Sequence, residues 1–186
     1  MQKSPGIPIV SLEGVRQFGL DDHRAASACR KVRESFEAHG SFQVFDPKID
    51  ASKSRANLAA WEQYFHQPRD IKARDIYPPD YQAGWTPSGK EIPLINPLNG
   101  KSTEPDPKER FFVELGTGTR KFTVPALFQE DNLWEDLMTS GYQKLDVFIT
   151  ILRMLALGYG LDQNFFVKNT RQATHRLTAT AANMKT

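Results

Sequence analysis

The segment ESFEAHGSFQVF, residues 34–45, links the end of a helical pattern to a short β-rich run and decides how the chain begins to fold. Before it, five residues recur at helical spacing and predict one buried helix face: Ala25, Ala28, Cys29, Val32 and Phe36. Gly40 supplies the expected stop of that helix. In the run SFQVF, Phe42, Val44 and Phe45 alternate imperfectly with polar residues, which predicts a strand that enters the same core. With a short edge strand at residues 7–10, the opening unit is predicted to be strand, helix, strand.

Further elements follow in the same way along the chain. Leu58, Trp61 and Phe65 keep helical spacing and predict a second helix over residues 52–66. The runs ERFFVEL and HRLTATA predict strands near residues 109–115 and 175–181. A long helix is predicted over residues 133–159 and ended by Gly160, with this buried face: Leu145, Phe148, Ile149, Leu152, Ala156 and Tyr159. The fold class is therefore α+β and dominated by helices.

Residues 77–107 interrupt this regular pattern. They contain seven prolines and three glycines, which predicts a functional loop or a covering lid. Three aromatic residues lie in this segment, Tyr77, Tyr81 and Trp85. They either anchor the segment to the core, the simpler interpretation, or form one wall of a ligand pocket.

Composition restricts the classes of function. The 186 residues carry a net charge of only +2 without a run of basic residues, so neither nucleic acid nor membrane is an expected partner. The single cysteine, Cys29, lies on an apolar helix face, which favours core packing and a reducing, cytoplasmic location. The apolar stretch at residues 147–161 contains Arg153 and is shorter than the ~20 residues of a membrane span.

The sequence shows no local motif for catalysis or metal binding. None of the four histidines is followed two positions later by an acidic residue, as a His-x-Asp metal pair requires: His23, His39, His66 and His175. No phosphate-binding glycine loop, cysteine pair or Gly-x-Ser-x-Gly motif is present. The run TEPDPKER offers Glu104, Asp106 and Glu109 as possible catalytic carboxylates, although its prolines favour a solvated loop. We therefore assign no catalytic residue and no metal ligand.

Six motifs in fixed order resemble the N-terminal region of isopenicillin N synthase-like non-haem iron dioxygenases. They are IPIVSL, ESFEAHGSFQVF, WEQYFHQPRDIKAR, YQAGWTPSGKE, KERFFVELG and LALGYGLDQNFF. The resemblance implies a helical N-terminal region that packs on a jelly-roll core, the double-stranded β-helix. In the family that core holds Fe(II) through a His-x-Asp pair and a distant histidine, and often binds 2-oxoglutarate through Arg-x-Ser. One departure is Asp46-Pro47-Lys48, where family members often have Asn-His-Gly.

The resemblance further implies that residues 1–186 form one dioxygenase N-terminal-like domain that stops before the jelly roll. ATHRLTATAANMKT falls where the family enters that core. We therefore expect the N-terminal portion of an iron and 2-oxoglutarate oxidoreductase that is inactive alone. The alternative is a non-catalytic dioxygenase-like interaction module or a truncated remnant. Fe(II) and 2-oxoglutarate are implied for the complete enzyme, and none is expected in this chain.

Two expectations about contacts follow from the resemblance. Tyr81, Gln82 and Trp85 should border the substrate entrance, because the similar loop of the family approaches the active site. The partner should be a jelly-roll core on another chain, or a second copy through self-association. One apolar face of the long helix is expected to lack its usual neighbour: Leu145, Phe148, Leu152 and Leu155. The segment after about Lys168 is expected to be mobile because its strand has few neighbours.

Overall fold

The computed structural model of the protein describes residues 6–77, 83–91, 104–115, 124–170 and 175–182. Its helices and strands occur in this order: β1 Ile9–Ser11, α1 Glu13–Phe18, α2 Ala25–His39, β2 Gln43–Phe45, α3 Ala51–His66, α4 Arg69–Lys72, β3 Gly84–Thr86, β4 Lys108–Leu115, α5 Leu133–Gly158 and β5 His175–Ala182. Short 3-10 turns lie at Ala73–Asp75, Ala126–Gln129 and Val167–Asn169. The described chain is thus rich in helix with few strands, as the α+β prediction requires.

The chain divides into two compact units, each of which combines separate stretches of sequence. The first unit contains Met1–Asp50 and Tyr142–Ala173, and the second contains Ala51–Gly141 and Thr174–Thr186. No helix in the described ranges is both long enough and apolar enough to cross a membrane.

The first unit confirms the predicted opening of strand, helix and strand. β1 and β2 pair in parallel with Val10 opposite Val44, and Gly40 ends α2 in the left-handed conformation at φ +65. The core below the strands consists of Val10, Leu12, Val15, Ala25, Cys29, Val32 and Met154. Cys29 is buried as expected, and burial raises the pKa of its thiol.

Three predicted core residues of the first unit are exposed instead: Phe36, Val44 and Phe45. Phe36 shares the angular face of Cys29 and Val32, but it lies in the last turn of α2, after the last buried residue Ser35, and is 48% exposed. Phe45 lies opposite Ser11 in the parallel pair, so it shares the outward side of the sheet. The predictions that these three side chains join the core are therefore wrong.

The long helix α5 ends two residues before Gly160, which takes a left-handed conformation at φ +70. Within the first unit its buried positions include Thr150, Met154 and Gly158, at a spacing of four residues. Of the predicted face, Ala156 is buried and Leu145, Ile149 and Leu152 are half-buried, whereas Phe148 and Tyr159 are exposed. The helix was predicted correctly, but its buried face is turned relative to the prediction.

The second unit has an aromatic core. The rings of Trp61 and Tyr64 on α3 contact Phe111 of β4 and Phe128, with ring centroids 4.5 to 5.9 Å apart. α3 buries Asn57, Ala60, Trp61 and Tyr64, at helical spacing. Leu58 lies about 100° from that face and is 70% exposed, so its predicted place in the core is wrong.

The sheet of the second unit has the antiparallel order β3-β4-β5, with β4 in the centre. All eight residues of β5 have partners in β4, from His175 opposite Leu115 to Ala182 opposite Lys108. The predicted strand is confirmed, and the premise that it has few neighbours is wrong. β3 lies within the segment that was predicted to be irregular, because its backbone pairs with β4 despite the surrounding prolines.

Candidate functional site

The candidate site is the part of the second unit around Trp85, the one predicted substrate contact that the structure describes. Trp85 lies on β3 opposite Phe111, and its side chain is only 3% exposed. Tyr81 and Gln82 lie outside the described residues, and Tyr77 is half-buried. The burial of the indole ring favours the anchoring role for Trp85 over a place in a pocket wall.

A carboxylate and an ammonium group surround the polar edge of this indole. Trp85 Nε1 donates to Glu109 Oε2 at 2.6 Å, and Lys72 Nζ donates to the same oxygen at 2.7 Å and to Oε1 at 3.0 Å. Lys72 Nζ also donates to the carbonyl oxygen of Phe65 at 2.7 Å and lies 5.2 Å from the centroid of the Trp85 ring. We call Lys72, Glu109 and Trp85 the indole clamp. It joins α4, β4 and β3 through charge-assisted hydrogen bonds.

Glu109 does not lie in a solvated loop, as its sequence context had suggested. It is part of β4, where Glu109, Phe111 and Val113 alternate along one face of the strand. Glu104 is exposed as expected, and Asp106 forms an ion pair with Lys108. The alternation within KERFFVEL is the sequence signal that could have placed Glu109 on the same face as the core aromatics.

A second buried polar pair lies beside the clamp. Tyr64 Oη donates to Asp75 Oδ2 at 2.8 Å. Burial raises the pKa of Asp75, an effect that the Tyr64 hydrogen bond and the charge of Arg74 only partly oppose, and burial also raises the pKa of Tyr64. The pair therefore favours the protonated phenol and disfavours charge on the carboxylate.

Gly84 fits closely against the 3-10 turn Ala73–Asp75 and the residues that follow it. Its φ of +70 is a left-handed conformation that favours glycine, and it forms a bridge with Ile76. A Cβ atom at this position would overlap the carbonyl oxygen of Asp75 and the ring of Tyr77. The local sequence Gly84-Trp85 therefore lets β3 approach the turn while the indole enters the clamp.

The first unit contains its own buried ion pair. Arg16 Nη2 lies 2.6 Å from Asp46 Oδ2, and the guanidinium also contacts the more exposed Asp146 at 2.7 Å. Burial acts to raise the pKa of Asp46, but the hydrogen bonds from Arg16 and Lys48 outweigh it and lower the pKa. The pKa of Arg16 is raised, first by its hydrogen bond to Asp46. Asp46 stands where family members often have the asparagine of Asn-His-Gly. In this protein it is held in an ion pair with Arg16.

The described residues do not fit an iron site. In the described ranges no three His, Cys, Asp or Glu side chains lie close enough together to hold a metal ion. His23 is exposed, His39 and His66 end helices α2 and α3, and His175 begins β5. We therefore derive no catalytic step through iron on this part of the chain.

Comparison with protein families finds a match over most of the described chain. The model described as "non-haem dioxygenase in morphine synthesis N-terminal" matches residues 7–136. No curated protein matches the sequence.

Comparison with solved structures finds the same fold in oxygenases. A full-length Neurospora crassa protein, solved in complex with alpha-KG, is 20% identical with a TM-score of 0.63, and the match covers 86% of this chain and 49% of that one. A putative 2OG-Fe(II) oxygenase family protein of Caulobacter crescentus is 19% identical with a TM-score of 0.67, covering 95% and 56%. AtDAO1, a dioxygenase for auxin oxidation from Arabidopsis thaliana, is 16% identical with a TM-score of 0.63, covering 94% and 57%. The chain thus spans about half the length of these structures, and the likeness is one of fold.

Proposed function

Because the chain belongs to the family of non-haem dioxygenase N-terminal domains, we propose that it is the N-terminal part of an iron(II)- and 2-oxoglutarate-dependent oxygenase. The observation that carries this proposal is the family match over residues 7–136. The fold shared with three oxygenases supports it, as does the resemblance of six sequence motifs in order.

In this proposal the metal and the co-substrate belong to a jelly-roll core, and residues 1–186 are inactive without it. The Neurospora crassa structure holds alpha-KG, and AtDAO1 was solved as a complex with 2-oxoglutarate. The core is supplied by another chain or by further sequence. The role of the described residues is then to support and complete that core.

The second unit would position the substrate entrance. Tyr81 and Gln82 come shortly before β3, and the indole clamp fixes that strand to β4 and α4. Trp85 then acts as the anchor, and Tyr81 and Gln82 as the residues that contact substrate. An aromatic ring and an amide together provide an apolar wall and a group that orients a polar substituent.

Anaerobic titration of the purified chain with Fe(II), followed by an assay of 2-oxoglutarate turnover, tests whether iron binding and turnover require the jelly-roll core. We expect neither stoichiometric iron binding nor turnover. Stoichiometric binding that is lost in His175→Ala would overturn the proposal, and His23→Ala, at a well-exposed position, is the matched control. Sequencing of the coding DNA beyond codon 186 adds an independent test, since a His-x-Asp motif there, in frame or frame-shifted, would favour a core encoded by further sequence over a core on another chain.

The substrate-entrance assignment needs the enzyme with its core. Gln82→Ala should raise KM while leaving the melting temperature unchanged. Trp85→Ala should lower the melting temperature as well, because it empties a buried site. An unchanged KM in Gln82→Ala and Tyr81→Ala would remove these residues from the entrance.

A second candidate function is a non-catalytic dioxygenase-like interaction module. The exposed apolar residues of the first unit, Ile9 and Phe45 among them, favour it. The two candidates differ in one measurement. Oxygen-dependent 2-oxoglutarate turnover by the chain together with its partner supports the oxygenase, whereas a stable complex without turnover supports the module.

A further inference from the structure

Asp46 and Asp75 are both buried, but they have different kinds of partner. Their exposed fractions are 5% and 8%. Asp46 accepts hydrogen bonds from the guanidinium of Arg16, whereas Asp75 Oδ2 accepts one from the phenol of Tyr64 at 2.8 Å. Among the residues that the structure describes, no Lys, Arg or His side chain forms an ion pair with Asp75. An ionised Asp75 is therefore a buried charge without an ion-pair partner, which is costly.

The surroundings of Tyr64 add to this cost. Tyr64 is fully buried, and its ring contacts those of Trp61 and Phe111 in the aromatic core. The charged form of a carboxyl group is disfavoured where apolar groups replace water. Burial accordingly raises the pKa of Asp75, and the Tyr64 hydrogen bond and the charge of Arg74 oppose this effect only in part. The site accommodates a neutral carboxyl group better than a carboxylate.

The neighbouring charged and titratable groups keep Tyr64 in the phenol form. Burial, the bond to Asp75 and the charge of Glu109 all raise the pKa of Tyr64, and Tyr77 acts in the same direction. Glu109 is itself paired, because Lys72 Nζ donates to both of its carboxylate oxygens. Tyr64 therefore remains a hydrogen-bond donor, and Asp75 is the member of the pair that gains and loses a proton.

The backbone connects Asp75 to β3. The carbonyl oxygen of Asp75 lies so close to Gly84 that a Cβ atom at Gly84 would overlap it. The next residue, Ile76, forms a β-bridge with Gly84, and Gly84 leads directly to Trp85 of the indole clamp. A change in the position of Asp75 therefore reaches Gly84 through a single residue.

We propose that Asp75 is a proton-binding switch of the second unit: its neutral carboxyl group holds the turn Ala73–Asp75 against Gly84, and loss of the proton to solvent loosens this contact. The buried carboxylate gains free energy by moving toward water, and that movement draws its backbone away from Gly84. The inference goes beyond the proposed function and does not depend on it, since every contact it uses lies within the second unit. The second unit is expected to tighten in mild acid, whereas the first unit loses the ion pair of Asp46 only in stronger acid.

An NMR titration of the full chain, labelled at the aspartate carboxyl carbons and the backbone amides, tests the switch. The midpoint of the Asp75 carboxyl signal should lie above the ordinary aspartate value of about 4, and the amide signals of Ile76 and Gly84 should move with the same midpoint. Tyr64→Phe should raise the midpoint further, because it removes the donor that favours the carboxylate. A midpoint at or below about 4, or amides at Ile76 and Gly84 that do not follow Asp75, would overturn the proposal.

Two variants show whether Asp75 causes the movement of these amides. In Asp75→Asn the pH-dependent shift at Ile76 and Gly84 should disappear. In Asp70→Asn, the matched control at an exposed position of α4, the shift should persist. An unchanged shift in Asp75→Asn would assign the titration to another group and overturn the proposal.

Hydrogen exchange of the wild type gives a test that needs no variant. Peptides that contain Gly84 and Trp85 should be protected about threefold or more one pH unit below the Asp75 midpoint than one unit above it, after correction for intrinsic exchange. Peptides from α2, in the first unit, are the internal control and should not gain protection in the same way. Equal protection of the Gly84 peptides at both pH values would show that the proton does not tighten the turn.

Discussion

One carboxylate oxygen of Asp46 accepts two hydrogen bonds from the guanidinium of Arg16, from Nε at 3.0 Å and from Nη2 at 2.6 Å. The other oxygen accepts from the backbone N–H of Lys48 at 3.0 Å. These bonds tie the turn after β2 to α1. A carboxylate that is buried and bonded on both oxygens makes the stability of the first unit sensitive to acid.

Asp46→Asn is expected to lower the free energy of unfolding by about 3 kcal/mol at pH 7, since it leaves the Arg16 charge without its buried partner. The folded-state pKa of Asp46 is lowered, so its contribution is present above the ordinary aspartate pKa of about 4 and is lost as pH falls through the folded-state value. Urea unfolding of wild type and variant at pH 7, 5 and 3 measures this. The difference in unfolding free energy between wild type and Asp46→Asn should narrow at pH 3. A difference that stays constant with pH would contradict a lowered pKa for Asp46.

Asp75→Asn should show the opposite trend. Burial raises the folded-state pKa of Asp75, so the charged form opposes folding and stability falls as pH rises from about 4 toward that higher value. An asparagine oxygen can still accept the hydrogen bond of Tyr64. We expect the variant to equal the wild type at pH 7 or to exceed it by about 1 kcal/mol, and to lose that advantage near pH ~3.5. A loss of more than about 2 kcal/mol at pH 7 would show that the charge itself is needed.

Lys72→Met tests the indole clamp. The Lys72 side chain is nearly inaccessible, and its removal leaves the Glu109 carboxylate with the Trp85 N–H as its remaining clamp donor. We expect a loss of about 3 kcal/mol in chemical unfolding, together with a shift in tryptophan fluorescence. Lys53→Met is the control, because Lys53 pairs with Asp136 at 3.0 Å in solvent and should cost less than about 1 kcal/mol. Equal losses in the two variants would show that the clamp adds nothing beyond a surface ion pair.

Gly84→Ala should be among the most damaging small substitutions in the second unit. Gly84 and Gly89 both have positive φ, at +70 and +77, so alanine carries a similar backbone cost of about 1–2 kcal/mol at either site. Only at Gly84 would the new Cβ also overlap the Asp75 carbonyl oxygen and the Tyr77 ring, whereas the nearest atom at Gly89 is at 3.9 Å. The melting temperature of Gly84→Ala should therefore fall well below that of Gly89→Ala. Similar melting temperatures in the two variants would mean that Asp75 and Tyr77 shift to accommodate the new Cβ atom without a loss of stability.

The sequence was informative where local signals determine local structure. Gly40 marks the end of α2, and the apolar alternation of residues 175–181 marks β5. Trp61 was placed correctly in the core because it belongs both to the predicted apolar face and to the buried face of α3. These features depend on the period of a single helix or strand, which can be recognised without knowledge of its neighbours.

Prediction failed where a distant partner decides the outcome. Phe45 is exposed because parallel pairing with β1 fixes which side it occupies, and Leu58 is exposed because the aromatic cluster selects an adjacent face of α3. Glu109 is held by Lys72 and Trp85, which are 37 and 24 residues away in the chain. Neither partner can be recognised in the run TEPDPKER itself, where the prolines favoured a solvated loop. Local periodicity contains no information about such long-range contacts.

The pairing of β5 with β4 has a consequence for synthesis on the ribosome. β4 is made before α5, but its partner β5 emerges only after the whole of that helix. During translation the edge of β4 stays without β5 while the second stretch of the first unit is being added. Emergence of β5 is therefore the step that completes this sheet, and until then a chaperone that shields open strand edges would protect the nascent chain from aggregation.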